Sequence, residues 1–192
     1  MANHCAVFLQ MYGGPGKIAA AYKDFADIER KQQDSQDRYF HLERTKQEDL
    51  EYRGIYEVYV YEESHTKTYL QVNFSVDWAL DDELLRLIYD TYQLSGVYAE
   101  QEELGMGIYD ARYIFEDTLV TVGIEDQISE LENFLEQLEA KGEYDSDEEG
   151  PFTYKGKEYD NLMDAYDRIL TSEVEDSPHY KRFNEVIEPF LK

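Results

Sequence analysis

The chain has 192 residues, and its 43 aspartates and glutamates against 18 lysines and arginines leave a formal net charge of −25. That balance makes nucleic acid and anionic membranes poor direct partners and a basic protein surface a good one. One cysteine, Cys5, excludes an internal disulfide framework and suits a reducing compartment, and no apolar run approaches the ~20 residues that span a bilayer.

The opening, MANHCAVFLQMYGGPG, lacks the basic segment of a secretory signal, so a soluble cytoplasmic protein is expected. Residues Cys5 to Tyr12 form a short apolar run ended by Gly13-Gly14-Pro15-Gly16 and read as a buried strand. From Lys17 to about Gln33, Ile18, Ala21, Tyr22, Phe25 and Ile28 recur on one helical face, with Pro15 near the first turn, where its missing N–H costs little. The mixed-charge stretch Asp34 to Glu51 reads equally as a second helix or a long connection. Ile55–Tyr61 and Thr68–Val76 alternate, are rich in aromatics and valine, and flank a polar turn, which predicts an antiparallel hairpin.

Asp77 or Asp81 should cap a helix running to about Leu94, with Leu84, Leu85, Leu87, Ile88 and Tyr92 inward and Gly96 as its end. Two strands, Tyr109–Phe115 and Thr118–Val122, follow around Glu116-Asp117. After the acidic stretch described below, Phe152–Tyr159 has a short hairpin's shape with Gly156 at its turn. Asn161–Leu170 reads as a helix, and a last helix is expected from Pro178 to Ile187, stopped by Pro189. The expected fold class is α+β: a mixed or antiparallel sheet of about 4–6 strands with helices packed on it. The element order is compatible with a split βαβ (ferredoxin-like) core plus a C-terminal hairpin and helices. The division expected is a main domain over 1–141, an acidic loop over 142–150 and a C-terminal appendage over 151–192.

Motifs of common chemistries fail on spacing. Gly13 to Lys17 stands between strand and helix like a phosphate loop, but Met11 occupies the place of the first glycine and Ile18 that of the hydroxyl residue. Asp145, Asp147, Glu149 and Gly150 match the first half of a calcium loop, yet its twelfth position is Gly156 rather than a bidentate glutamate. The four histidines, His4, His41, His65 and His179, show no metal-ligand spacing, and His4 and Cys5 would point to opposite faces of one strand. Glu139-Ala-Lys141 has the acid-x-lysine spacing of nucleases, on a helix with another explanation. No catalytic residue, metal or cofactor is expected. The tyrosines Tyr52, Tyr56, Tyr59, Tyr61 and Tyr69 serve a core or an interface equally well.

The stretch from Glu125 to Glu149 carries the strongest signal, an acidic run with one cation, Lys141. Ile124, Ile128, Leu131, Leu135 and Leu138, widened by Phe134, form the apolar stripe of a helix over 124–141. Its other face holds Glu125, Asp126, Glu130, Glu132, Glu136 and Glu139, with no lysine or arginine at i+4. At ~1.5 Å rise per residue that is roughly one charge per 4 Å, comparable with one phosphate per ~3.4 Å of a DNA strand. The loop after it adds Glu143, Asp145, Asp147, Glu148 and Glu149. An ordinary solvated helix face is the plainer account of such a surface.

In charge alone, the chain is similar to the acidic DNA-mimic proteins that phages and mobile elements use against restriction or CRISPR machinery. That similarity implies a non-enzymatic inhibitor of a basic, nucleic-acid-binding protein, itself binding neither nucleic acid nor membrane, and it leaves a homodimer open. The residues expected to meet the partner are Glu125, Asp126, Glu132, Glu136, Glu139, Glu143, Asp145, Asp147, Glu148 and Glu149. An acidic immunity or adaptor protein for one basic toxin or regulator is the first alternative, and an enzyme with an unrecognised site the second.

Overall fold

A computed structural model describes residues 4–34, 55–61, 66–103, 108–144 and 150–191. Among them the elements run β1 (His4–Tyr12), α1 (Pro15–Asp34), β2 (Tyr56–Val60), β3 (Tyr69–Asp77), α2 (Asp82–Tyr92), β4 (Gly96–Glu103), β5 (Ile108–Phe115) and β6 (Thr118–Gly123). The acidic helix α3 (Glu125–Glu139) follows, then β7 (Phe152–Tyr154), β8 (Lys157–Tyr159), α4 (Leu162–Asp176) and α5 (Pro178–Ile187). β1 to β6 form one sheet in the order β2-β3-β1-β4-β5-β6, every neighbour antiparallel, and β7 pairs with β8 alone. The fold is α+β. Its first four strands and two helices have the split βαβ order, because α1 carries the chain past the slot that β3 fills between β1 and β2.

Alternation along β1 explains the two layers. Cys5, Val7, Leu9 and Met11 point to one face, where α1 contributes Ile18, Ala21, Phe25 and Ile28 and α2 contributes Leu84, Leu85, Ile88 and Tyr92. Each valine, leucine, isoleucine, phenylalanine or methionine among them stabilises the fold by about 1.5–3 kcal/mol on burial. Tyr12, on the other face, joins Tyr98, Tyr113 and Phe115 in a second core closed by α3, α4, α5 and the β7–β8 hairpin. Residues 151–191 therefore share a core with the sheet. Tyr113 stands at its centre, its hydroxyl 2.7 Å from Ser177 Oγ and its ring against Phe115, Tyr180 and Phe183.

The start of α2 is pinned to the sheet by polar groups that satisfy one another. Asp81 caps the helix, its Oδ1 accepting the Glu83 N–H at 2.6 Å. Next to it, buried Gln101 accepts the Leu80 N–H at 2.6 Å and donates to Asp110 at 2.5 Å. Arg112 completes the set, bridging the Asp110 carboxylate and Asp82 and donating to the Leu80 carbonyl. A buried carboxylate is tolerable here because each oxygen has a donor.

Several expectations are corrected. α2 ends at Tyr92, with Gln93 in the left-handed region at φ 48°, so Gly96 is not its terminator but the first residue of β4. β4 lies in the middle of the sheet, although its run Glu100-Gln101-Glu102-Glu103 shows no apolar alternation. Gly96 has its own reason: a Cβ there would stand 2.6 Å from Ile187 Cγ2 and 3.1 Å from the Phe183 ring. α4 extends beyond Leu170 to Asp176, since Val174 continues its buried stripe. The stretch 35–54 lies outside the described residues, as do Tyr52 and the turn at 62–65.

Candidate functional site

Residues Ile128, Leu131 and Leu135 bury the inner stripe of α3, which leaves Glu125, Asp126, Glu130, Glu132, Glu136 and Glu139 exposed. At ~100° per residue, Glu125, Glu132, Glu136 and Glu139 fall within a ~60° stripe spanning ~21 Å, beside the buried one. Glu125 and Asp126 sit in the first turn, where the helix dipole favours them. Glu136 and Glu139 stand near the opposite end, where a carboxylate costs about 0.3–1 kcal/mol, and no base occupies the last turn. Glu143 continues the exposed surface past Gly142, whose φ of 70° reverses the chain.

Glu130 departs from the row. The hairpin turn Lys155-Gly156, both residues at positive φ, brings Lys155 Nζ to 2.7 Å from Glu130 Oε2. The hydrogen bond from Lys155 holds the Glu130 carboxyl below its usual range, and Glu130 in turn raises the lysine. No lysine or arginine stands at i+4 on this helix, yet one of its carboxylates is paired from outside the acidic stretch. The pairing is invisible to an i+4 search, because the cation arrives from 25 residues away.

Helix α4 runs alongside the row. Tyr166 donates to Glu132 Oε1 at 3.1 Å, and Gln127 Nε2 donates to Glu173 Oε1 at 3.3 Å. The first contact fixes a carboxylate of the row in place; the second adds an exposed carboxylate at its start. Burial, followed by the charge of Glu132, pushes the Tyr166 phenol up, so it remains a donor across neutral pH. Glu125, Asp126, Glu132 and Glu136 have no lysine or arginine within ion-pair distance among the described residues. Asp145, Asp147, Glu148 and Glu149, expected in the same surface, lie outside the described residues, as does most of the calcium-like loop.

A second acidic feature lies on the same side of the sheet, beyond the edge of α4. Here a cleft of about 380 Å³ opens over the sheet, with Ala6 and Phe8 in its floor. Cross-strand pairing sets Phe8 between Asn73 and Glu100, and Ala6 between Ser75 and Glu102. Glu57 and Asp167 complete the carboxylate walls, Glu57 accepting from Ser75 at 2.9 Å and Asp167 from the Tyr109 hydroxyl. Ala6, in a central strand, is exposed at the floor of the cleft between Ser75 and Glu102. Sequence reasoning missed it with β4, although the two-residue spacing of Glu100 and Glu102 is the mark of two carboxylates on one strand face. Chemically it can hold a cationic group above an apolar floor.

His4 and Cys5 do point apart: Cys5 is buried with its Sγ 3.4 Å from Gln101 Oε1, while His4 meets the Tyr56 hydroxyl. The tyrosines of the hairpin divide, Tyr56 into the core and Tyr59 out to solvent at 59 % exposure. Among the described residues no group of three or more His, Cys, Asp or Glu is arranged to hold a metal, and no helix is long and apolar enough to cross a membrane. Compared with family models, curated proteins and solved structures, the chain matches none.

Proposed function

We propose that this chain is a non-enzymatic inhibitor, an acidic DNA mimic that occupies the basic nucleic-acid channel of a host defence enzyme of the restriction or CRISPR type and works in the cytoplasm. The observation that carries the reading is the stripe Glu125–Glu132–Glu136–Glu139 on a helix anchored along its inner face. A basic channel built to contact phosphates gains comparable long-range attraction from carboxylates held at fixed spacing. Two carboxylates of that helix's last turn oppose its own dipole, so folding alone does not favour them there.

Affinity capture tests the proposal, with the native chain and a variant carrying Glu125→Gln, Glu132→Gln, Glu136→Gln and Glu139→Gln as baits. The four glutamines preserve shape, and relief of self-repulsion should leave the variant at least as stable as the native chain. The native bait should retain a basic nucleic-acid-binding protein that the variant does not. Retention by both baits alike would place the contact elsewhere.

The cleft favours the adaptor reading as a second possibility, in which one lysine or arginine of a single basic partner inserts between Glu57, Glu100, Glu102 and Asp167. Under that reading Glu100→Gln with Glu102→Gln abolishes capture while the four-glutamine variant retains it.

A further inference from the structure

The two edges of the sheet are treated in opposite ways. At β2 the strand is interrupted by a bulge between Tyr56 and Tyr59, with Glu57 at φ 51°. Side chains of α1 then occupy its outer backbone groups: Gln32 bonds both the N–H and the carbonyl of Val58, and Glu29 accepts the N–H of Val60 at 3.3 Å. These are the devices by which proteins prevent an edge strand from pairing with another chain. Among the described residues β6, at the opposite edge, has none of them. Its sequence, TLVTVG, contains no charge and no proline in a chain of net charge −25, and its pairing with β5 runs without a bulge.

The register identifies which groups face outward. Glu116 and Asp117 both have positive φ, so the two-residue turn makes Phe115 and Thr118 a hydrogen-bonded pair. The Ile124 N–H donates to the Tyr109 carbonyl at 3.3 Å, which agrees with that phase at the far end of the ladder. Thr118, Val120 and Val122 therefore bond to β5, while the N–H and carbonyl groups of Leu119 and Thr121 point away from the sheet. Among the described residues no backbone group pairs with them.

We propose that β6 takes an extended segment of the partner protein, flanked by lysine or arginine, as a seventh strand of this sheet. The proposal rests on the reading of the partner as basic and extends it, since main-chain pairing would fix the register that charge alone leaves loose. Charge chooses this occupant over a second copy. Antiparallel self-pairing centred on Thr121 would bring Asp117 of each copy towards Glu125 and Asp126 of the other, at both ends of the ladder. A basic segment meets the same carboxylates favourably, and its centre would cover the half-exposed flanks of Leu119, Val120 and Val122.

The test uses the peptide Lys-Lys-Val-Thr-Val-Thr-Val-Lys-Lys, the same peptide N-methylated at alternate central amides, and its glutamate-flanked counterpart, each titrated into isotope-labelled protein and followed by amide chemical shifts. The lysine peptide should shift β6 amides first, and binding should fall at least about tenfold with N-methylation or with Thr121→Pro, each of which removes outward backbone bonds. The glutamate peptide should bind more weakly still. Where Thr121→Pro fails to fold, the N-methylated peptide carries the comparison. Equal binding by the parent and N-methylated peptides would overturn the proposal, as would shifts confined to α3, or Leu119 and Thr121 amides already protected by self-association. A variant with Glu132→Gln, Glu136→Gln and Glu139→Gln alone separates the two readings: it keeps Asp117, Glu125 and Asp126 at the ends of β6, so it should still bind the lysine peptide while losing the captured partner.

Discussion

Gln32 holds Val58 by both ends of its amide, Nε2 donating to the Val58 carbonyl at 2.5 Å and Oε1 accepting the Val58 N–H at 2.8 Å. One side chain of a helix thus imitates the strand that β2 lacks. Gln32→Ala should destabilise the protein by about 1–2 kcal/mol, the usual worth of two partly exposed hydrogen bonds. The same variant should self-associate at concentrations where the native chain does not, because its edge is unblocked. Denaturant unfolding and light scattering measure the two effects.

Gly96→Ala tests how the C-terminal helices are docked. The added methyl would meet Ile187 Cγ2, which sits on the Cβ of its side chain and cannot swing clear, and the ring of buried Phe183. Overpacking of this kind costs about 1–3 kcal/mol. A thermal melt should show the loss, and Gly14→Ala, with nothing within 4 Å of the new Cβ, serves as the control.

Alkaline stability should follow the buried phenols. Burial is the first cause that raises Tyr12, Tyr98, Tyr109 and Tyr166 above the ordinary value of 10.0, with nearby carboxylates adding to it at Tyr98, Tyr109 and Tyr166. A folded-state value above the unfolded one means that the stabilisation is complete below pH 10 and is lost as pH rises from there towards the folded-state values. Phenolate absorbance from these residues should therefore appear together with unfolding. Gradual ionisation in a chain that stays folded would contradict their burial.

The first three strands and two helices were legible because a short apolar run, CAVFLQMY, gives way to a 3.6-residue period in the helix bearing Ile18, Ala21, Phe25 and Ile28. β4 was not, because Glu100 and Glu102 face an open cleft rather than a core and so erase the alternation that marks a central strand. The acidic stripe of α3 was visible in sequence for the reason it is exposed: the apolar stripe beside it is complete. Its neutralised member, Glu130, was not, since Lys155 reaches it through a hairpin whose placement only the tertiary fold determines.

Displacement of DNA from the captured partner is the sharpest test of mimicry. The captured partner's binding to a labelled duplex is followed by mobility shift while this protein is added at moderate and at high salt; the protein alone should bind no duplex, since like charges oppose the encounter. Free duplex should reappear as the protein is added, the effect should weaken steeply with salt, and the four-glutamine variant should not produce it. A stable ternary complex of partner, duplex and this protein would rule out mimicry of DNA.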